Sequence, residues 1–116
     1  MFIAVKPVRN RYIAFIIHSD DAKVFTRHEM IDEIKKHCQM MYHTHCRTYG
    51  FFLTRFQKNK GILRCFHKEK DKAISLLTSI QKINKTSVNI ETIAASGTIR
   101  SLIGKHLNGD TLQESR

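Results

Sequence analysis

His37, Cys38, His43, His45 and Cys46 lie close together, and Cys65 and His67 stand two residues apart. These are zinc-ligating residue types. Yet there is no Cys-x-x-Cys pair, and the spacing fits no usual structural zinc site. Cys38 falls on the apolar stripe of an expected helix and Cys65 within an expected strand, so buried or surface roles are expected, with no metal held by this chain. Asp20-Asp21 follows a strand and could hold a cation, but an exposed loop or cap is the simpler expectation. Acidic residues number ten and stand mostly isolated among basic ones, so no paired carboxylates suggest hydrolysis. Nothing resembles a nucleophile elbow or a phosphate-cradling glycine loop, and no catalytic residue is assigned. Ser96-Gly97-Thr98 precedes an expected helix. It could bind a phosphate through backbone N–H groups or simply cap the helix, and both readings stay open.

What the residues do offer is positive charge. Twenty Lys and Arg against ten Asp and Glu give a formal net charge of +10 in 116 residues. The basic residues run from Lys6 to Arg116, so the whole domain is basic. Such a surface attracts polyanions and releases counterions on binding them, which makes nucleic acid the leading partner class. No segment pairs a basic face with a strong apolar face, and no apolar run approaches the roughly 18 residues of a membrane span. An odd cysteine count and an N-terminus without a secretory signal make a reducing compartment the default, and the cytoplasm is expected.

Positioning these residues requires a core, and 41% apolar content supplies one. Arg11 to His18 is rich in aromatic and β-branched residues and reads as a central strand. Thr26 and Glu29 have capping-box spacing, with Phe25 placed as a staple. Ile31, Ile34, Cys38 and Met41 recur at helical spacing, predicting a helix over 27–42. Tyr49 to Gln57 reads as a strand with Phe52, Thr54 and Phe56 on one face and Phe51, Leu53 and Arg55 on the other. Lys58 to Gly61 reads as a turn that uses the glycine, leading into a strand from Ile62 to His67. A second helix is predicted over 69–83, with Ala73, Leu76, Leu77, Ile80 and Ile83 buried and Asn84-Lys85 as its exit. Val88 to Ala95 is a fourth strand, with Val88, Ile90, Thr92 and Ala94 alternating against Asn89, Glu91, Ile93 and Ala95. A last helix, about 99–107, carries Ile99, Leu102, Ile103 and Leu107 on one side.

The order β-α-β-β-α-β plus a C-terminal helix predicts an α+β, ferredoxin-like sandwich. Residues 1–9 are expected to be an N-terminal extension, 10–107 the α/β RNA-binding domain and 108–116 a flexible tail. The RNA recognition motif shares this topology. Lys60-Gly61 fits the opening of its third-strand signature, but the aromatic positions hold Ile62, Arg64 and His67, with Phe66 out of phase and assigned to the core. A standard base-stacking platform is therefore not expected, which leaves phosphate and shape recognition.

Arg11-Tyr12-Ile13-Ala14-Phe15, Gly61-Ile62-Leu63-Arg64-Cys65-Phe66-His67 and Ser96-Gly97-Thr98-Ile99-Arg100 occur in that order. Together they resemble the archaeal ribonuclease P protein component 2 family, whose eukaryotic relatives serve ribonuclease P and its sister particle for ribosomal RNA processing. The resemblance spans about Asn10 to Leu107. It implies a subunit of the tRNA 5′-endonuclease in which the RNA performs the hydrolysis with bound Mg²⁺ and this chain is non-catalytic. It also implies pairing with protein component 3, a possible homodimer contact within a heterotetramer, and only indirect contact with precursor tRNA. Arg11, Arg55, Lys60, Arg64, Arg100 and Lys105 are the candidates for RNA phosphate contact, because they fall at strand edges, at the hairpin turn or on the last helix.

Three alternatives keep the same fold: a stand-alone RNA-binding module, a small enzyme on this scaffold, and a protein-interaction subunit of another ribonucleoprotein. A cleft with paired ionisable groups would favour the enzyme, and the sequence offers none.

Overall fold

The computed structural model describes residues 9–20 and 23–106, with side chains through 103. The expected extension, Asp21, Leu107 and the C-terminal tail fall outside the described residues or, for the extension, almost wholly so. Strands are β1 (Asn10–Ser19), β2 (Phe52–Gln57), β3 (Lys60–Phe66), β4 (Lys82–Ile83) and β5 (Thr86–Ser96); helices are α1 (Arg27–Tyr42), α2 (Lys70–Ser79) and α3 (Ile99–His106). The sheet is antiparallel with order β2-β3-β1-β5-β4. The predicted α+β, ferredoxin-like arrangement with an added C-terminal helix is present, with β1 central.

α1 begins as its sequence dictates. The Glu29 N–H donates to Thr26 Oγ1 at 3.1 Å and the Thr26 N–H donates to Glu29 Oε1 at 2.8 Å, closing the capping box. Phe25 and Met30, the staple positions, are both in the core. The buried stripe runs Met30, Ile34 and Cys38, with Ile31 and Met41 only partly buried at its flanks. α1 ends at His43, whose left-handed backbone lets its N–H reach the carbonyl oxygen of Gln39.

α2 and its exit depart from expectation. The helix stops at Ser79, whose hydroxyl donates to the carbonyl oxygen of Leu76 at 2.7 Å. Ile80 is extended, and Lys82–Ile83 form the short strand β4. Ile80 and Ile83 are fully buried, as the helical reading required, but they reach the core from extended backbone. Asn84 and Lys85 both take positive φ, 48° and 72°, the geometry of a two-residue hairpin turn with matching twist. They join β4 to β5 and add a fifth strand. The β2–β3 turn works the same way. Lys58 and Asn59 carry positive φ of 52° and 66°, so the predicted use of Gly61 as the turn residue is incorrect. Gly61 is required for another reason: a Cβ there would lie 2.7 Å from Phe15 Cζ and 2.9 Å from Phe56 Cδ1.

Two cores result. Ile13, Phe15 and Ile17 of β1, with Leu53, Leu63 and Ile90, pack under α1 and α2. On the opposite face, Ala14 and Ile62 are covered by Leu102 of α3, with Tyr12, Ile93, Ala94, Ile99 and Ile103 around them. α3 thus occupies part of the face that an RNA recognition motif leaves open.

Two register shifts decide which residues that face carries. In β2, Leu53 pairs with Leu63 and Arg55 with Ile62, leaving Thr54 as an extra residue. Thr54 Oγ1 donates to the carbonyl oxygen of Ile62 at 3.0 Å. This bulge reverses the alternation. Phe52 and Arg55 therefore share the α3 face, while Leu53 and Phe56 lie on the core face, and the predicted faces of β2 are corrected accordingly. In β5, Ala94 pairs with Ala14 but Thr92 with Phe15, so Ile93 is extra and joins the cluster under α3. The predicted alternation along that strand holds only up to Thr92.

Candidate nucleic-acid interface

Strand pairing places the basic residues on two surfaces. Lys60 pairs with Ile16, Arg64 with Tyr12 and Phe52, and Arg55 with Ile62. Partners in a ladder share a face, so Arg55, Lys60 and Arg64 stand together on the α3 face, on the β2–β3 side. Arg11 pairs with the buried Cys65 and lies on the other face, at the sheet end. Arg100 is exposed on the first turn of α3. Lys105 lies in α3, but its side chain is outside the described residues. The six candidates therefore do not form one patch: three converge and Arg11 is separate.

Within the convergent group, Arg64 is held on two sides. Its Nε donates to the carbonyl oxygen of Gly50 at 3.3 Å, and its guanidinium lies 5.2 Å from the centroid of the Phe52 ring. Gly50 permits this approach because its φ of 72° suits a residue without Cβ. The Phe66 ring fills the space a Gly50 Cβ would take. Phe66 is half-buried and out of the main core, correcting its sequence-based assignment. Phe52 is one of three exposed large apolar side chains among the described residues, 52% exposed, and the sequence reading did not single it out. Its position beside Arg64 on one face depends on the Thr54 bulge.

Arg55 adds an unusual feature. Its Nε is buried and has no hydrogen-bond partner among the described residues. A guanidinium has five N–H donors and no acceptors, and leaving a buried one unpaired carries a desolvation cost. Toward β5, the same face carries a compensated pair, with His18 Nε2 2.9 Å from Glu91 Oε1. The excess of positive charge is therefore on the β2–β3 side.

The cysteine and histidine cluster is spread over several roles. Cys38 is fully buried, and burial pushes its thiol up to about 12. Burial likewise pushes Cys65 up to about 11. His37 Nδ1 is 3.3 Å from Ser79 Oγ, and His43 forms the α1 cap. His45 and Cys46 line a cavity of about 480 Å³ with Lys35, Gln39, Thr44, Arg47 and Phe51. Among the described residues no three His, Cys, Asp or Glu side chains come together as a metal-binding group. No helix among them is long and apolar enough to cross a membrane. The Ser96-Gly97-Thr98 segment caps: the Ser101 N–H donates to Thr98 Oγ1 at 3.2 Å and the Thr98 N–H to Ser96 Oγ at 3.3 Å.

Comparison with known proteins adds two findings. Residues 11–106 match the sequence model of the Rpp14/Pop5 family, a ribonuclease P subunit family. Among solved structures, the chain is similar to one in a cryo-EM structure of yeast ribonuclease MRP, with TM-score 0.66 and 13% identity, covering 82% of this chain and 79% of that one. At that identity the likeness concerns the fold. No curated protein sequence matches.

Proposed function

Because this chain belongs to the Rpp14/Pop5 family of ribonuclease P protein subunits, we propose that it supports the catalytic RNA of ribonuclease P in removing the 5′ leader of precursor tRNA. The observation that carries this reading is the family match over residues 11–106, almost the whole described domain. On this reading the RNA performs the hydrolysis with bound Mg²⁺, and the chain acts as a non-catalytic subunit of the holoenzyme.

The physical role proposed is neutralisation. RNA phosphates brought together in a compact fold repel, and Mg²⁺ alone must otherwise offset that repulsion. Arg55, Lys60 and Arg64 supply fixed positive charge on one face, and Arg64 is preorganised by Gly50 and Phe52. Arg100 and Lys105 extend the same role along α3. Each phosphate neutralised releases condensed counterions, so binding weakens steeply as salt rises.

The finer assignment is to the component 2 type, with protein component 3 as the protein partner and a heterotetramer formed through a contact between two copies. Its support is the set of motifs at Arg11–Phe15, Gly61–His67 and Ser96–Arg100. The cytoplasm is the proposed compartment. Co-purification tests the reading as a whole. Tight association with a large structured RNA and at least one other protein is expected, and isolation as an RNA-free catalyst would refute it.

A further inference from the structure

We propose that the converging ends of β1, β3 and β5 form a seat for a single phosphodiester of the bound RNA, made by Arg9, Arg11 and His67. This deepens the proposed function and rests on its premise that the chain supports an RNA. A cavity of about 320 Å³ opens at this end of the sheet, lined by Arg9, Asn10, Arg11, His67 and Gly97. Among the described residues, the lining holds three basic side chains, an amide and a glycine, and no carboxylate or apolar side chain.

The ladder builds it. Asn10 pairs with Phe66, and the His67 N–H donates to the carbonyl oxygen of Arg9 at 2.7 Å, so Arg9 and His67 stand across from one another. Arg11 follows two residues along β1. On its other side, Tyr12 pairs with Ser96, which brings Gly97 against Arg11. A Cβ on Gly97 would lie 3.1 Å from Arg11 Nη1, so the glycine leaves room for the guanidinium. The seat does not depend on the start of α3, since Thr98 caps that helix.

Among the described residues, the charge in this cavity has no carboxylate counterpart. Neither Arg9 nor Arg11 forms an ion pair with a carboxylate among the described residues. The neighbouring acid, Glu69, is held by Lys72 at 3.1 Å. Two guanidiniums gathered without an anion repel each other. A phosphate relieves the repulsion and presents oxygens to the fork of each guanidinium, which is what arginine geometry suits. The seat is on the α1 and α2 side of the sheet, away from Arg55 and Arg64 on the α3 side, and so gives the RNA a second, separate point of attachment.

The test uses the full chain labelled with ¹⁵N and titrated with inorganic phosphate. A parallel series measures affinity for a ribonuclease P RNA as a function of salt. Saturable amide shifts are expected at Arg11, His67 and Gly97, and their loss in the Arg9→Gln/Arg11→Gln double variant. The same variant should bind the RNA more weakly, with the slope of log K against log salt shallower by about one, the change for one phosphate contact. Gly97→Ala, which crowds only the mobile end of Arg11, should weaken both responses while the thermal midpoint stays unchanged. Absence of saturable phosphate shifts overturns the seat. Phosphate shifts with an unaltered RNA salt slope overturn the assignment to RNA and leave a free-anion site. If Arg55→Gln/Arg64→Gln weakens RNA binding and Arg9→Gln/Arg11→Gln does not, the seat fails while the RNA-supporting role stands. If neither pair changes RNA binding, the role itself fails.

Discussion

The guanidinium of Arg64 rests 5.2 Å from the centre of the Phe52 ring, although the two residues belong to different strands and face each other across the β2–β3 ladder. An exposed cation–π pair of this kind contributes about 0.5–1 kcal/mol. Its larger consequence is orientation, since Gly50 holds the same guanidinium from the other side. Phe52→Ala should cost about 1 kcal/mol or less of stability in denaturant titration. It should nonetheless weaken binding to the ribonuclease P RNA several-fold, because Arg64 is then less ordered. Unchanged affinity would remove Phe52 from the interface.

Gly61 should tolerate no side chain. Gly61→Ala drives a methyl group into Phe15 and Phe56, whose ring centroids are 6.4 Å apart in stacked contact. A loss of about 1–3 kcal/mol is expected from overpacking. The measurement is the midpoint of chemical unfolding against the wild type, and a shift below about 0.5 kcal/mol would contradict this account of the glycine.

The capping box predicts an acid-side dependence of stability. The Thr26 backbone N–H, first, and the Asn84 and Thr26 side chains hold the Glu29 carboxyl below its usual value. A carboxylate depressed in the folded state contributes stability that is fully present above its unfolded pKa and is lost as pH falls through the folded one. Glu29→Gln should therefore flatten part of the decline in thermal midpoint below about pH 4.5, where unfolded glutamate begins to protonate. Thr26→Ala should cost about 1 kcal/mol at neutral pH, as loss of an N-cap does.

Thiol labelling tests the core beneath α1 and α2. Cys38 and Cys65 are fully buried with raised pKa values of about 12 and about 11, whereas Cys46 is partly exposed. The thiolate is the reactive form. At pH 8 in native buffer, iodoacetamide should modify Cys46 first, with Cys38 and Cys65 reacting only after unfolding. Equal rates read by mass spectrometry would contradict the burial of the two strand- and helix-borne thiols.

These positions also show what the sequence discloses. The start of α1 was legible in Thr26-x-x-Glu29, because capping is local chemistry between residues three apart. The end of α2 was not. Ile80 and Ile83 fit helical spacing and are buried either way, so periodicity alone cannot separate a helix turn from the extended run into β4. Period-two alternation gives the wrong faces at one end of β2 and of β5 for one reason: a bulge adds a residue, and the alternation inverts beyond it. That inversion brings Phe52 to the face of Arg55 and Arg64, so the separation of these arginines from Arg11 could not be seen before the register was known. Positive φ at Lys58 and Asn59 was hidden behind the nearby Gly61, which serves packing instead.

Reconstitution of precursor-tRNA cleavage by the ribonuclease P RNA and its other proteins, with and without this chain and across Mg²⁺ concentrations, tests the proposed support of the RNA. The chain should lower the Mg²⁺ required for half-maximal cleavage, and Arg55→Gln/Arg64→Gln should give up much of that gain while remaining folded. An unchanged rate and an unchanged Mg²⁺ requirement on adding the chain would contradict that support.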